Sequence, residues 1–281
     1  METIRFTKMQ GLGNDYIYVD VTQKELKNPS EVSIKVSDRH FGIGSDGLVL
    51  IGKSENADFS MRIFNADGSE AKMCGNASRC IGKYVHDNGL TDKSVVTLET
   101  LSGIKTLNLA FDKSGKVCLV TVDMGMAGLQ QICTGKCSEP SYLEMENVCT
   151  EGQCFKGSAI NMGNPHLVLF VQDADSIDIT KYGSVLEHSD MFPDGVNVEF
   201  AEVRSENTIR MRVWERGSGI TMACGTGACA TAVAAIRAGL TKGKNEIIMD
   251  GGSLFIEYDQ QTGKVLMTGP AEKICEGTIE I

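Results

Sequence analysis

An internal repeat constrains the fold of this 281-residue chain more than any other feature of its sequence. The segment MRIFNADGSEAKMCGNASRC at 61–80 aligns with MRVWERGSGITMACGTGACA at 211–230. This alignment matches Cys74 with Cys224, which lies 150 positions later. A repeat of this length indicates a duplicated structural unit rather than an array of short repeats.

Two further matches occur upstream in the same order. LGNDYIYV from Leu12 aligns with MGNPHLVLF from Met162 at the same offset, and SDGLVL at 45–50 aligns with PDGVNV at 193–198 at an offset of 148. Three matches at nearly one offset predict two homologous halves, which together fit the size of a two-domain protein.

Each half has the same predicted order of elements. Strand patterns occur in YIYVDV, GLVLIG and FSMRIF, and then in HLVLFVQ, VNVEFAEV and TIRMRVW. A helix follows in each half, NASRCIGKYVHDNGL and GACATAVAAIRAGL, with Gly89 and Gly239 placed to end it. The second helix is apolar on nearly every side, which predicts complete burial. We therefore expect an α+β fold of two homologous domains related by pseudo-two-fold symmetry, each a mixed or antiparallel β-sheet wrapped around a central α-helix.

Composition limits the classes of partner and the compartment. The net charge of −10 argues against nucleic acid, which needs clustered Lys and Arg. The N-terminus has no pattern of a secretory signal, and the apolar stretch ACATAVAAI is too short for a membrane span. We expect a soluble, cytoplasmic protein without membrane partners. Ten cysteines in a reducing compartment are predicted to be metal ligands, reactive thiols or core residues rather than disulfides.

The two matched cysteines each precede a helix, in MCGN and in ACGTG. If both helices point their N-termini at one cleft, Cys74 and Cys224 can each take or give a proton on one face of a substrate carbon. A helix N-terminus favours an anion by about 0.3–1 kcal/mol, and by up to about 2 kcal/mol when partly buried. This predicts a thiol pKa lowered from about 8.5 toward about 7.5. The N–H groups of Gly75–Asn76 and Gly225–Thr226 are predicted to stabilise the growing charge of a substrate carboxylate.

The remaining cysteines have other predicted roles, and two other kinds of site must be considered. Cys80 and Cys229 lie within the helical patterns and are predicted to be core residues, and Cys118 is predicted to lie on a strand. A P-loop is excluded because ACGTGACATA lacks the Gly-Lys-Ser/Thr ending. The remaining alternative is a zinc site with the spacing C-x3-C-x11-C-x4-C, which is near that of zinc ribbons without matching it. Its four cysteines are Cys133, Cys137, Cys149 and Cys154.

The motifs GLGNDY, NADGSEAKMCGN, GNPH, GVNVEF, ERGSGITMACGTGACA and TGPAE resemble the diaminopimelate epimerase family over nearly the whole chain. The resemblance is weakest at 126–155. It implies an isomerase, independent of pyridoxal phosphate and without cofactor or metal, that interconverts LL- and meso-diaminopimelate in lysine and peptidoglycan precursor biosynthesis. It also implies an N-terminal domain of residues 1–125 plus 271–281 and a C-terminal domain of residues 126–270.

The resemblance further implies roles for individual residues, with Cys74 and Cys224 as the catalytic acid and base. His166 and Glu215 correspond to the residues that adjust the cysteine pKa values. The implied substrate contacts are Asn14, Asn65, Gly75, Asn76, Asn164, Asn197, Glu215, Arg216, Gly225 and Thr226. Diaminopimelate has an amino acid group at each end, so Arg216 suits its distal carboxylate and asparagine carbonyls suit an ammonium.

Alternatives come from the same superfamily and from outside it. A proline- or histidine-type racemase that needs no cofactor remains the main alternative, although Asn76, Asn65 and Arg216 favour diaminopimelate. Isomerases of the phenazine-biosynthesis type lack the cysteine pair. A binding protein that lost catalysis is expected to lose one cysteine, and neither is lost. The sequence leaves open whether the chain forms a homodimer.

Overall fold

The structure is a computed structural model that describes residues 3–133 and 141–281. These residues form two compact units, Met1–Asp123 with Thr268–Ile281, and Met124–Met267. The elements from the N-terminus are β1 (Thr3–Gly11), β2 (Asn14–Asp20), α1 (Pro29–Ser37), β3 (Gly47–Gly52), β4 (Phe59–Asn65), β5 (Glu70–Ala71), α2 (Gly75–Asp87), β6 (Val95–Thr100), β7 (Gly103–Phe111) and β8 (Val117–Met126).

The chain continues through a second series of elements. These are β9 (Gly128–Leu129), β10 (Gln131–Ile132), β11 (Ser141–Tyr142), β12 (Glu146–Thr150), β13 (Gln153–Asn161), β14 (Pro165–Phe170), α3 (Ile179–Glu187), β15 (Asn197–Ser205), β16 (Thr208–Glu215), β17 (Gly219–Ile220), α4 (Gly225–Arg237), β18 (Lys244–Met249), β19 (Gly252–Tyr258) and β20 (Lys264–Gly269). The last strand, β21 (Glu272–Glu280), belongs to the first unit.

Strand pairing follows the same plan in both units. In the first unit the order is β21–β1–β2–β3–β4–β6–β7–β8, antiparallel except for the pairs β2–β3 and β4–β6. In the second it is β12–β13–β14–β15–β16–β18–β19, with β14–β15 and β16–β18 parallel. Parallel neighbours need a crossover connection, and in each unit the two crossovers contain the two helices. The six strands predicted from the sequence are all present.

The helices repeat with the offset found in the sequence. α2 and α4 are both 13 residues long, and α1 and α3 are both 9 residues long. Of these helices, α2 and α4 were predicted from the sequence, whereas α1 and α3 were not. Each missed helix has a start signal, since Pro29 occupies the first turn of α1 and the Asp178 carboxylate accepts a hydrogen bond from the Lys181 N–H at 3.0 Å.

The two cysteines at the helix starts occupy the same local position. Cys74 and Cys224 are the N-cap residues of α2 and α4, and both have extended backbone angles. Gly89 and Gly239, predicted to end these helices, both have φ of 71° just beyond the C-cap. A non-glycine residue is strained at such an angle, which explains why both helices stop at this point.

In the second unit, side chains alternate between the two faces of the sheet. Val198 and Phe200 of β15 belong to an apolar core that also contains Ile179 and Leu186 of α3. Glu199, between them, points to the opposite face, where it meets Gly227 of α4. α4 packs against β13, β14, β15, β16, β18 and β19. All ten of its residues from Gly227 to Ile236 are buried, which confirms the prediction of a buried central helix.

The prediction that the cysteines avoid disulfides is wrong for one pair. Cys149 and Cys154 form a disulfide with a Cα–Cα distance of 4.0 Å. The physical reason is the β12–β13 hairpin, whose register places Cys149 directly opposite Cys154. Two of the four thiols proposed for a zinc site are therefore engaged with each other. Of the other two, Cys133 is exposed, and Cys137 lies outside the described residues.

Candidate active site

In the first unit, three predicted site residues surround the N-terminus of α2. The thiol of the half-buried Cys74 donates to Asn14 Oδ1 at 3.6 Å, and Asn76 Nδ2 donates to the same oxygen at 3.4 Å. Asn14 begins β2, so the repeat motif GND brings its amide to the start of the helix. The second amide atom of Asn76, the buried Oδ1, has no hydrogen-bond partner within residues 3–133 and 141–281.

A carboxylate orients the Asn14 amide. Asp46 Oδ2 accepts hydrogen bonds from Asn14 Nδ2 at 2.9 Å and from the Asp15 N–H at 3.1 Å, while its other oxygen pairs with Arg39 at 3.1 Å. Since Asp46 occupies the amide nitrogen, the Asn14 oxygen is directed at Cys74. Asp46 was not selected from the sequence, although it lies in SDGLVL, which aligns with PDGVNV.

Two other predicted residues of the first unit have different positions. Gly75 is the buried first residue of α2, directly after Cys74. Asn65 lies at the end of β4, where its Nδ2 donates to Ser69 Oγ at 3.0 Å. The hydrogen bonds thus bring Asn14, Cys74 and Asn76 together, whereas Asn65 is held in the neighbouring turn.

In the second unit, Cys224 is more enclosed than Cys74, with 5% of its surface exposed. Its sulfur accepts a hydrogen bond from the Gly227 N–H at 3.3 Å and lies 3.6 Å from Thr226 Oγ1. This N–H is one of the donors that a helix start leaves without an intrahelical partner. Gly225, the first residue of α4, corresponds to Gly75.

A chain of hydrogen bonds leads from Thr226 into the interior. Asn164 Nδ2 donates to Thr226 Oγ1 at 3.4 Å, and Asn164 Oδ1 lies 3.0 Å from His166 Nε2. The other ring nitrogen of His166, Nδ1, lies 2.7 Å from Glu199 Oε1. His166 and Glu199 are both completely buried. Asn164 is the counterpart of Asn14, but it is supported by an imidazole instead of a carboxylate.

The electrostatics of Cys224 contradict the simple helix-dipole expectation. Burial raises the pKa of the Cys224 thiol well above its usual value, and the negative charges of Glu215 and Glu199 raise it further. Hydrogen bonds from Thr226 and Gly227 act in the opposite direction but do not compensate. The predicted lowering of the thiol pKa by the helix N-terminus is therefore wrong for Cys224, because desolvation and two carboxylates outweigh one N–H group.

Glu215 lies beside Cys224 at the end of β16. Burial raises the pKa of its carboxyl, while hydrogen bonds from Thr221 and Cys224 partly oppose that change. The Thr221 hydroxyl donates to Glu215 Oε1. Two carboxyl groups, Glu215 and Glu199, thus influence the one thiol.

Asn197, the first residue of β15, and Arg216, which directly follows β16, are brought together. Asn197 Nδ2 donates to the Pro165 carbonyl at 2.9 Å, and its Oδ1 accepts from the Arg216 N–H at 3.1 Å. The exposed guanidinium of Arg216 donates to the Asp194 carbonyl at 2.9 Å. The Asn197 amide therefore fixes the backbone at Pro165 and Arg216, and the Arg216 guanidinium presents a cation at the surface.

The glycine at 227 has a steric reason as well as a hydrogen bond. A Cβ atom at this position would lie 2.6 Å from Glu199 Oε1 and 3.2 Å from the Cys224 sulfur. Only glycine lets the helix start approach both groups so closely. Glu199 was not selected from the sequence, although a charged residue in the apolar run VNVEFAEV was a usable signal.

The described residues contain one cluster with the composition of a cation site. Asp173, Asp175 and Glu202 place ligand atoms within 4.8 Å of one another. Arg204 pairs with Asp175 at 2.9 Å and with Glu202 at 3.0 Å, so protein cations already offset this negative charge.

Within the described ranges, none of the helices has the length and hydrophobicity needed to cross a bilayer.

Comparison with known proteins identifies the family of this arrangement. A family model described as diaminopimelate epimerase matches residues 6–129 and 158–274. The intervening stretch contains the β12–β13 hairpin with its disulfide. A protein from Parabacteroides distasonis named diaminopimelate epimerase is 56% identical over 280 residues, which cover 100% of this chain and 99% of that protein.

Solved structures show the same fold at low sequence identity. A phenazine biosynthesis protein of the PhzF family from Bacillus anthracis matches with a TM-score of 0.75 and 16% identity, covering 100% of both chains. A hydroxyproline epimerase from Agrobacterium vitis matches with a TM-score of 0.65 and 14% identity, covering 99% of this chain and 91% of that one. These similarities confirm the predicted fold class.

Proposed function

The chain belongs to the diaminopimelate epimerase family, and from this premise we propose that Cys74 and Cys224 are the two proton-transfer groups of its active site. The activity is that of an isomerase that interconverts LL- and meso-diaminopimelate. The observation that carries the proposal is the equivalence of the two cysteines. Each is the N-cap of a 13-residue helix. Asn14 contacts Cys74 directly, and Asn164, from the same repeat motif, is linked to Cys224 through Thr226.

The reaction inverts one α-carbon by two proton transfers. One cysteine, as the thiolate, takes the α-proton, and the other, as the thiol, gives a proton to the opposite face. The base ends as a thiol and the acid as a thiolate, so the charge is conserved. N–H groups of Gly75, Asn76, Gly225 and Thr226 stabilise the substrate carboxylate as its negative charge grows.

The different surroundings of the two thiols support the proposal that one acts as the base while the other acts as the acid. Asn14 and Asp46 support Cys74, whereas Glu215 and Glu199 lie near Cys224 and His166 contacts Glu199. A pair in which one thiol is ionised while the other is protonated needs such a difference. The raised pKa of Cys224 favours its protonated form before reaction.

The remaining substrate contacts are proposed from the same residues. Asn76 Oδ1, buried without a partner among the described residues, is available to accept from the substrate ammonium. Arg216 is proposed to bind the distal carboxylate, since its guanidinium is exposed and held by the Asp194 carbonyl. The other proposed contacts are Asn14, Asn65, Asn164, Asn197 and Glu215.

Three other properties are proposed with the function. Residues 1–125 with 271–281, and 126–270, are the two epimerase domains, a division supported by the two compact units. The enzyme works in the cytoplasm without a cofactor. We propose a homodimer, which the molar mass from light scattering tests.

Incubation of the purified protein with LL-diaminopimelate in deuterated water tests the function. We expect meso-diaminopimelate with deuterium at the inverted α-carbon, because the acid has exchanged its proton with solvent. Proline and histidine serve as comparison substrates. Racemisation of either one without conversion of diaminopimelate would contradict the substrate assignment and favour the alternative racemase.

Cys74→Ser and Cys224→Ser test the two-base mechanism. A serine hydroxyl is a much weaker acid than a thiol, so each variant is expected to lose epimerase activity by at least about 10²-fold, the lower limit typical of general acid–base groups. Cys118→Ser, at an exposed thiol on β8, is the matched control and should keep wild-type activity. Full activity in either catalytic variant would refute the proposal.

A further inference from the structure

Among the described residues of the second unit, Glu199 is the most deeply buried carboxylate, with no exposed surface. One of its oxygens, Oε1, contacts His166 Nδ1 at 2.7 Å. The other, Oε2, has no hydrogen-bond partner within residues 3–133 and 141–281. A buried carboxylate with a single strong contact is costly unless that contact supplies a positive charge.

His166 fixes the position of Glu199. Its Nδ1 lies 2.7 Å from Glu199 Oε1, and its Nε2 lies 3.0 Å from Asn164 Oδ1. Asn164 Nδ2 in turn donates to Thr226 Oγ1, which lies 3.6 Å from the Cys224 sulfur. The carboxylate is therefore held by side chains that continue to the neighbour of the Cys224 thiol.

Glu199 also reaches Cys224 by a shorter route than His166 does. The position of a Cβ atom at Gly227 is 2.6 Å from Glu199 Oε1 and 3.2 Å from the Cys224 sulfur. The carboxylate and the thiol therefore border one small space beside the helix start. His166 reaches the sulfur through two intervening side chains, Asn164 and Thr226.

We infer that Glu199 is a positioning residue for Cys224, held in place by His166 and keeping the Cys224 thiol protonated across Gly227. This inference rests on the proposed function and adds a residue to it. A thiolate at Cys224 would lie next to the Glu199 charge in a site of low dielectric, where charges of one sign repel strongly. In the direction in which Cys224 is the acid, its thiol therefore stays protonated until the carbanion forms.

Other charged groups near Cys224 are few. Glu215 on β16 faces the thiol, and His166 on β14 completes the set with Glu199 on β15. On β18 and β19, Lys244 and Glu257 pair with each other at 2.9 Å near the surface. A change in the titration of Cys224 can therefore be traced to a small number of residues.

Glu199→Gln tests the inference because it removes the charge and keeps the volume. The glutamine oxygen still accepts from His166 Nδ1, so the packing should survive. We expect Cys224 to ionise at lower pH, since one of the two carboxylates that raise the pKa of its thiol is gone. The measurement is the midpoint pH of iodoacetamide alkylation of Cys224, followed by peptide mass spectrometry. Alkylation at neutral pH should become several-fold faster than in the wild type.

The pH profile of epimerase activity gives a second readout. Where Cys224 acts as the acid, the basic limb of kcat/KM reports loss of its proton, and this limb should move to lower pH in Glu199→Gln. Glu202→Gln is the matched control, since Glu202 lies on the same strand but pairs with Arg204. An unchanged alkylation midpoint in Glu199→Gln, or a midpoint at higher pH, would overturn the inference.

Failure of the proposed function would give a different result. Epimerisation would be absent, while the alkylation midpoint of Cys224 in Glu199→Gln would still move to lower pH.

Discussion

At the scale of single residues, the two halves use similar positions for different electrostatics. Asn14 and Asn164 are repeat equivalents, yet one is oriented by the Asp46 carboxylate and the other lies against the His166 ring. The repeated motifs therefore fix where the amides lie, whereas their neighbours determine which atom each amide presents. At this scale two equivalent thiols acquire different surroundings.

Gly227→Ala provides a test at this scale. The added methyl would lie 2.6 Å from Glu199 Oε1, which is closer than non-bonded atoms tolerate, so the helix start or the carboxylate must move. We expect the free energy of unfolding to fall by about 1–3 kcal/mol, the usual cost of overpacking. Urea denaturation measures the change.

The control for this variant is Gly128→Ala. Among residues 3–133 and 141–281, apart from its chain neighbours, no heavy atom lies within 4 Å of a Cβ atom at Gly128. The effect of this variant on the free energy of unfolding should therefore stay within about 0.5 kcal/mol. Equal effects at the two glycines would show that the contact with Glu199 does not determine the stability of this region.

At the scale of elements, each unit has one central helix and one outer helix that crosses between parallel strands. The outer helices α1 and α3 have the same length but begin differently. The Asp178 carboxylate caps α3, whereas Asn28 before α1 has no side-chain cap and adopts a left-handed conformation with φ of 49°. The same element in the two halves is therefore stabilised by different local interactions.

Asp178→Ala should accordingly destabilise the protein, because the Lys181 N–H loses its acceptor. The expected loss is about 0.5–2 kcal/mol in the free energy of unfolding. Asn28→Gly, at the equivalent position of α1, should cost little, since glycine adopts the left-handed conformation readily. Thermal denaturation of both variants checks the pair, and equal destabilisation would argue against the cap.

At the scale of the whole molecule, the proposed chemistry requires both thiols to act on one carbon. Mild oxidation is then expected to join Cys74 to Cys224 and inactivate the enzyme, and a thiol reductant should restore activity. Peptide mapping of the oxidised protein identifies the bond. Cys74→Ser is the control for the peptide mapping, because it cannot form this disulfide. Inactivation of the wild type without a Cys74–Cys224 bond would count against the requirement.

The parts of the fold that could be predicted are those with a strong local pattern in the sequence. The repeat, six strands and the two central helices were readable because apolar periodicity and terminal glycines are local features. α1 and α3 were missed because they are short and their signal lies in single residues, Pro29 and Asp178. The Cys149–Cys154 disulfide was missed because it depends on the register of a hairpin, in the stretch that the family model does not match.

The sequence by itself determined the duplication, the fold class, the family and the two cysteines at the helix starts. These follow from motifs whose residues are neighbours in the chain. Only the tertiary structure decided that Glu199 lies behind His166 and beside Gly227, and that Asp46 holds Asn14. The sign of the pKa shift at Cys224 was decided in the same way. The reason is physical: desolvation and the repulsion between charges depend on distances through space, which separation along the chain does not specify.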